Sequence, residues 1–218
     1  RRAIAELEPA ALQVPNAAFL RSVGGAWLRK DENWKAFVYL SQALRFMPGY
    51  AQESRWRAMV LDQLDEPEWA RADAERAVAL EPDNGYAQQQ LGGILLETGH
   101  SAEAVPHFRE ALKDSKTRQG AYTYLCGTLI DTKQRDAAGK CVDELLAEYP
   151  ENPEGWRQRV ALIGYDAPGS VDAMERFVAL NDPKRWPSHA RAAETMRKIL
   201  AAKQGTASAA DMFDARVA

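Results

Sequence analysis

Residues 85–118 read GYAQQQLGGILLETGHSAEAVPHFREALKDSKTR, and this stretch decides the fold. Gln88, Leu91, Gly92 and Leu95 fall on one face at helical spacing; so do Ala104, Phe108, Ala111 and Leu112. Apolar residues recurring three and four apart mark amphipathic helices. The stretch is therefore two short helices, with His100 in the loop between them.

The same pattern returns every 34 residues, in rows that begin at Ala17, Ala51, Gly85 and Gln119. Position 8 reads Gly24, Ala58, Gly92, Cys126, and position 20 reads Ala36, Ala70, Ala104, Ala138. Position 11 is large (Trp27, Leu61, Leu95, Leu129), and position 24 reads Leu40, Ala74, Phe108, Val142. Small residues let two helix backbones approach, and large ones beside them fill the space between. Pro48, Pro82 and Pro150 at position 32 end each second helix, because proline lacks an N–H and clashes with the preceding turn. Lys116 interrupts that series, and Arg57 and Ser54 stand in the second row where large core residues are expected.

These residues resemble the tetratricopeptide repeat (TPR) family over about residues 17–150, with the third row matching best. The resemblance implies an all-α, right-handed α-solenoid of antiparallel helix pairs, a TPR-like superhelix. The expected organisation is a partial leading helix over 1–16 and repeats at 17–50, 51–84, 85–118 and 119–152. A degenerate fifth repeat over 153–183, a capping helix over 184–204 and a loose tail over 205–218 follow. Trp156, Val160 and Ile163 give the fifth repeat its first face, and Val171, Met174 and Phe177 its second. Ala193, Met196, Ile199 and Leu200 give the capping helix its apolar side.

Composition narrows the partner class. A net charge of −3 argues against nucleic acid, and no apolar stretch is long enough to span a membrane. The sequence opens on Arg1-Arg2, so a processed or excised segment is expected; the excess of arginine over lysine and the abundance of alanine suggest a bacterial source. Cys126 and Cys141 occupy positions 8 and 23 of one row. Position 8 is expected opposite 20, and 23 opposite 4 or 5, an offset of about one turn that predicts two reduced thiols. The compartment is left between cytoplasm and periplasm, with the thiols leaning toward the former.

Catalytic signals are lacking. His100, His107 and His189 have no metal-ligand spacing and read as surface residues, and no nucleophile-elbow, phosphate-loop or zinc-protease motif occurs. Neither cofactor nor metal is expected, and no enzyme activity. Gly24-Gly25 and Gly92-Gly93 read as tight helix packing, and Trp34 and Trp69 as packing between repeats or against the loop. Asp31-Glu32, Asp65-Glu66 and Glu68 suit helix starts.

The family's concave surface is lined by first-helix positions 2, 5, 9, 12 and 13. The resemblance thereby implies a partner-binding groove that includes Arg21, Leu28, Arg29, Gln52, Arg55, Met59, Tyr86, Gln89, Thr123 and Arg157. Arg21, Arg55 and Arg157 carry planar forks suited to carboxylates, and Gly25, Gly93 and Gly127 at position 9 would leave the groove floor open. A peptide with acidic residues is the expected ligand. The family's carboxylate-clamp branch, which grips chaperone C-termini, carries Lys and Asn where Arg21 and Gly25 stand, so that specificity is not expected. The reading is a non-catalytic scaffold or adaptor holding a protein partner in a multi-component assembly. Its alternatives are a recruiting domain of a larger enzyme and a self-assembling homo-oligomer.

Overall fold

A computed structural model describes residues 16–182 and 184–205. The leading helix expected over 1–16 and the tail expected over 205–218 lie outside the described residues, apart from Asn16 and Gly205. Helices and turns make up the described residues, without strands, and they fall into two compact units that meet between Ala121 and Tyr122. The fold is an α-solenoid built from antiparallel helix pairs, as the period predicts.

The first unit holds α1 (Ala17–Leu28), α2 (Asn33–Phe46), α3 (Ala51–Gln63), α4 (Pro67–Leu80), α5 (Gly85–Glu97), α6 (Ser101–Ala111) and the start of α7 (Arg118–Asp131). Odd and even helices pair as α1 with α2, α3 with α4 and α5 with α6. Each pair packs on the next, and the first helices touch in sequence, α1 to α3 to α5. The second unit holds the rest of α7, then α8 (Arg135–Glu148), α9 (Pro153–Ile163), α10 (Ser170–Leu180), a 3₁₀ turn at Pro187–His189 and α11 (Ala190–Lys203). Val160, Met174, Phe177, Ala193, Met196 and Leu200 form the core at its end, so α11 covers the apolar side of α10. Val171, expected on the inner face of α10, is exposed.

The repeating residues are where the helices meet. All four alanines of the ladder are completely buried. A methyl group on Gly24 would come within 2.8 Å of Leu40, and one on Gly92 within 2.6 Å of Phe108. Position 8 thus packs against position 24. Asparagine caps three of the first helices: the side chains of Asn16, Asn84 and Asn152 accept backbone N–H bonds from Ala18, from Tyr86 and Ala87, and from Gly155. The missing third proline has a substitute, since Thr117 Oγ1 donates to the Ala111 carbonyl at 2.8 Å.

The turn inside each hairpin follows one rule not read from the sequence. Position 15 is left-handed in all four rows: Asp31 at φ 58°, Asp65 at 60°, Gly99 at 81°, Lys133 at 60°. The N–H of the next residue then bonds back to the position-11 carbonyl, as Glu32 to Trp27, Glu66 to Leu61, His100 to Leu95 and Gln134 to Leu129. This closes the helix end in the manner of a Schellman motif. Asp31 and Asp65 accordingly serve the end of a first helix rather than the start of a second.

Cys126 and Cys141 form a disulfide, with Cα atoms 5.4 Å apart, so the expectation of reduced thiols is corrected. Position 23 projects between positions 4 and 8 of the paired helix and reaches either. His107 Nδ1 lies 2.7 Å from Gln88 Oε1 at position 4, Asp73 receives Arg57 at position 7, and Cys141 joins Cys126 at position 8. The expected one-turn offset does not separate the two sulfurs, because residue 23 lies at the crossing itself.

Candidate functional site: the first-helix faces

In the first unit, α1, α3 and α5 pack in sequence, and they carry the residues expected to line the groove from Arg21 to Gln89. Arg21 is half-buried, with Nη1 3.6 Å from the carboxylate of buried Glu53. Leu28 is also half-buried, against the cluster of Ala36, Leu40 and Val60, while Arg29 and Gln52 are exposed. Gly25 does not open the floor as expected, because the Trp56 ring lies where its side chain would be, 2.8 Å from an ideal Cβ. Gly93 does open it: nothing lies within 4 Å. Gln89 leans over Gly120, and Met59 is half-buried.

Arg55 differs from Arg21. Its guanidinium sits over the exposed Tyr86 ring, 5.6 Å from the centroid, and no ion pair engages it among the described residues. Its backbone carbonyl accepts from Gln90 Nε2 at 3.0 Å, which pins α3 to α5 beside this stack. Burial lowers the Arg55 pKa, while Tyr86 and Glu81 act in the opposite direction; an arginine stays charged under either influence. At the other end of the same helices Asp62, at position 12 of its row, meets Glu97, at position 13 of the next. Burial raises the Glu97 pKa, as do the hydrogen bond and the charge of Asp62. The face therefore runs from a cationic aromatic end to an acidic end.

The second unit carries Thr123 and Arg157. Thr123 is engaged internally, its carbonyl accepting from Gln158 Nε2 at 2.8 Å and its hydroxyl from Asn152 Nδ2 at 3.4 Å. Arg157 forms a two-pronged pair with Glu154, and that hydrogen bond raises its pKa. Glu154 also faces His189 Nε2 at 3.1 Å. The Gly127 position is lined by Gln158, 3.3 Å from where a Cβ would stand. Of the three arginines read as carboxylate receptors, two already have carboxylates from this chain.

The other singled-out residues fall as follows. His100 is exposed, whereas His107 and His189 are half-buried and hydrogen-bonded. Burial lowers the His107 pKa against the pull of Glu75 and Glu103. Trp34 and Trp69, read as packing residues, are corrected: they are 65% and 68% exposed. Their position just ahead of the alanine ladder puts them at the rim of the hairpin, where the core has ended. Among the described residues no group of three or more His, Cys, Asp or Glu could hold a metal ion, and no helix is long and apolar enough to cross a membrane.

Stacked helical hairpins with a varied first-helix face define a helical-repeat protein. Residues 95–160 match the profile of the tetratricopeptide repeat. No curated protein matches the sequence. Among solved structures, Pseudomonas aeruginosa pilF is similar with a TM-score of 0.75 at 19% identity, over 87% of this chain and 85% of that one. PilW, described as a widely conserved type IV pilus biogenesis factor, gives 0.70 at 15% identity over 92% and 90%. YrrB, described as a TPR protein with an unusual peptide-binding site, gives 0.68 at 14% identity over 85% and 97%. At such identities the likeness is one of fold.

Proposed function

We propose that this chain is a non-catalytic scaffold that holds a peptide segment of a partner protein on the first-helix face of its first unit. One observation carries the reading: Arg55 is stacked on exposed Tyr86, in no ion pair among the described residues, one helix away from the open backbone at Gly93. A guanidinium held on a ring is already oriented, so less freedom is lost when it meets a carboxylate. The acidic residue of the ligand belongs at Arg55, and its backbone crosses Gly93. Arg21 contributes less, since Glu53 already pairs with it; Arg157 lies in the second unit and is paired with Glu154. Leu28 and Gln89 act as walls of this face rather than as ligand contacts.

The setting is an assembly outside the reducing cytoplasm. The disulfide favours an oxidising compartment, and one of the similar structures, PilW, is described as a type IV pilus biogenesis factor. Affinity capture with wild-type protein and with Arg55→Glu tests the reading. The co-purifying partner should be lost from Arg55→Glu, and its retention should weaken as salt rises. Equal capture by both proteins would end the proposal.

A further inference from the structure

Trp34 and Trp69 flank a single cavity of about 340 Å³ in the first unit. It draws on none of the side chains of the first-helix face. Phe37, edge-on to Trp34 with ring centroids 6.0 Å apart, continues the aromatic wall, and Leu61 and Leu64 complete the apolar lining.

Two charged groups line it, Arg57 and Glu66, and they are not equivalent. Arg57 donates through Nε and Nη2 to both oxygens of buried Asp73, at 2.6 and 2.7 Å, and through Nη1 to Ser41 Oγ at 3.3 Å. Its charge is balanced and its fork is occupied. Glu66 is exposed and enters no ion pair among the described residues. The unbalanced charge of the cavity is therefore negative, set among electron-rich ring faces.

The preceding repeat shows what such a combination holds. Glu32 stands in the first row where Glu66 stands in the second. Lys35 lies 3.6 Å from Glu32 and 4.1 Å from the centroid of the Trp27 ring, an ammonium held by a carboxylate and an indole. The residue at the Lys35 position one row later is Trp69. The second row keeps the glutamate, places Trp69 at the lysine position and Leu61 at the Trp27 position, and the cavity takes its other rings, Trp34 and Phe37, from the first row.

We propose that this cavity is a binding site for a cationic side chain, specifically an arginine presented by a partner protein, stacked between Trp34 and Trp69 and paired with Glu66. Indole faces attract guanidinium groups more strongly than other rings do, and a guanidinium also matches a carboxylate with two parallel bonds.

The test is a titration of the full chain followed by the six tryptophan indole N–H resonances in NMR. The probes are capped pentapeptides with leucines around a central arginine, norleucine or glutamate. The arginine peptide should shift the Trp34 and Trp69 indoles saturably, with the norleucine peptide about tenfold weaker and the glutamate peptide without effect. Trp69→Ala should abolish the Trp34 shift, and Glu66→Gln should weaken binding by several-fold; both positions are exposed, so the remaining resonances should keep their dispersion. Arg55→Glu should leave the titration unchanged. Equal shifts with the norleucine peptide would make the cavity an apolar anchor instead and overturn the proposal. Absence of any Trp34 or Trp69 shift, or loss of the effect in Arg55→Glu, would overturn it too.

Discussion

Glu97 and Asp62 meet across neighbouring first helices, and the folded chain therefore keeps a proton that the unfolded chain would release. Burial is the first cause, and the hydrogen bond and charge of Asp62 add to it. The sign follows from linkage: with the folded-state pKa raised, the native form binds more protons between the ordinary carboxylate value and the raised one, so stability falls as pH rises through that window. Glu97→Gln should raise the melting temperature at neutral pH. The gain should fade as the pH drops below about 4, where Glu97 becomes protonated whether the chain is folded or not. Calorimetry at the two pH values checks this, and a gain of equal size at both would remove the explanation. His107 carries the opposite sign: burial lowers its pKa, so its contribution is present above the unfolded value and is lost as pH falls from there through the lowered folded value. Asp62 and Glu97 were legible as groove positions. Their contact was not, because it depends on the axial offset between successive helices, which no single row reveals.

Helix pairs turn on glycines that look alike in sequence. A methyl on Gly92 would meet the Phe108 ring at 2.6 Å, and Phe108 is wholly buried and has nowhere to go. Gly93 has nothing within 4 Å. Gly92→Ala should therefore cost about 1–3 kcal/mol by overpacking, while Gly93→Ala should stabilise α5 by about 0.5–1 kcal/mol through helix propensity. Urea unfolding of the two single variants measures both, and like signs would contradict the packing. The 34-residue period made the small position 8 readable, along with the alanine ladder and the prolines. Gly25 and Gly93 share position 9, yet Trp56 from the next first helix covers only the former. That difference comes from a neighbouring repeat, so the period is silent on it. The left-handed residue at position 15 was equally hidden, since Asp31, Asp65, Gly99 and Lys133 have no side-chain chemistry in common.

At the scale of the whole molecule, the second unit is cross-linked and the first is not, among the described residues. The disulfide closes 15 residues of sequence, which corresponds to about 3 kcal/mol of stabilisation through the restricted unfolded chain. Reductant should lower the unfolding free energy of the second unit by about that amount and leave the first unchanged. Hydrogen exchange of α8 against α2, with and without reductant, separates the two. Equal loss in both units would argue for a global effect of the bond. The cysteine pair was visible in the sequence. Its bonding was not, because an idealised antiparallel hairpin places position 23 a turn away from position 8.

That same position has a wider consequence. Three successive hairpins are fastened at position 23 by an ion pair, a histidine–glutamine hydrogen bond and a covalent bond. One seam responds to acidification, another to reductant, and the ionic one to neither in the same way. Solution conditions can thus loosen one repeat while its neighbours stay shut, and a chain of nearly identical modules gains individually addressable joints.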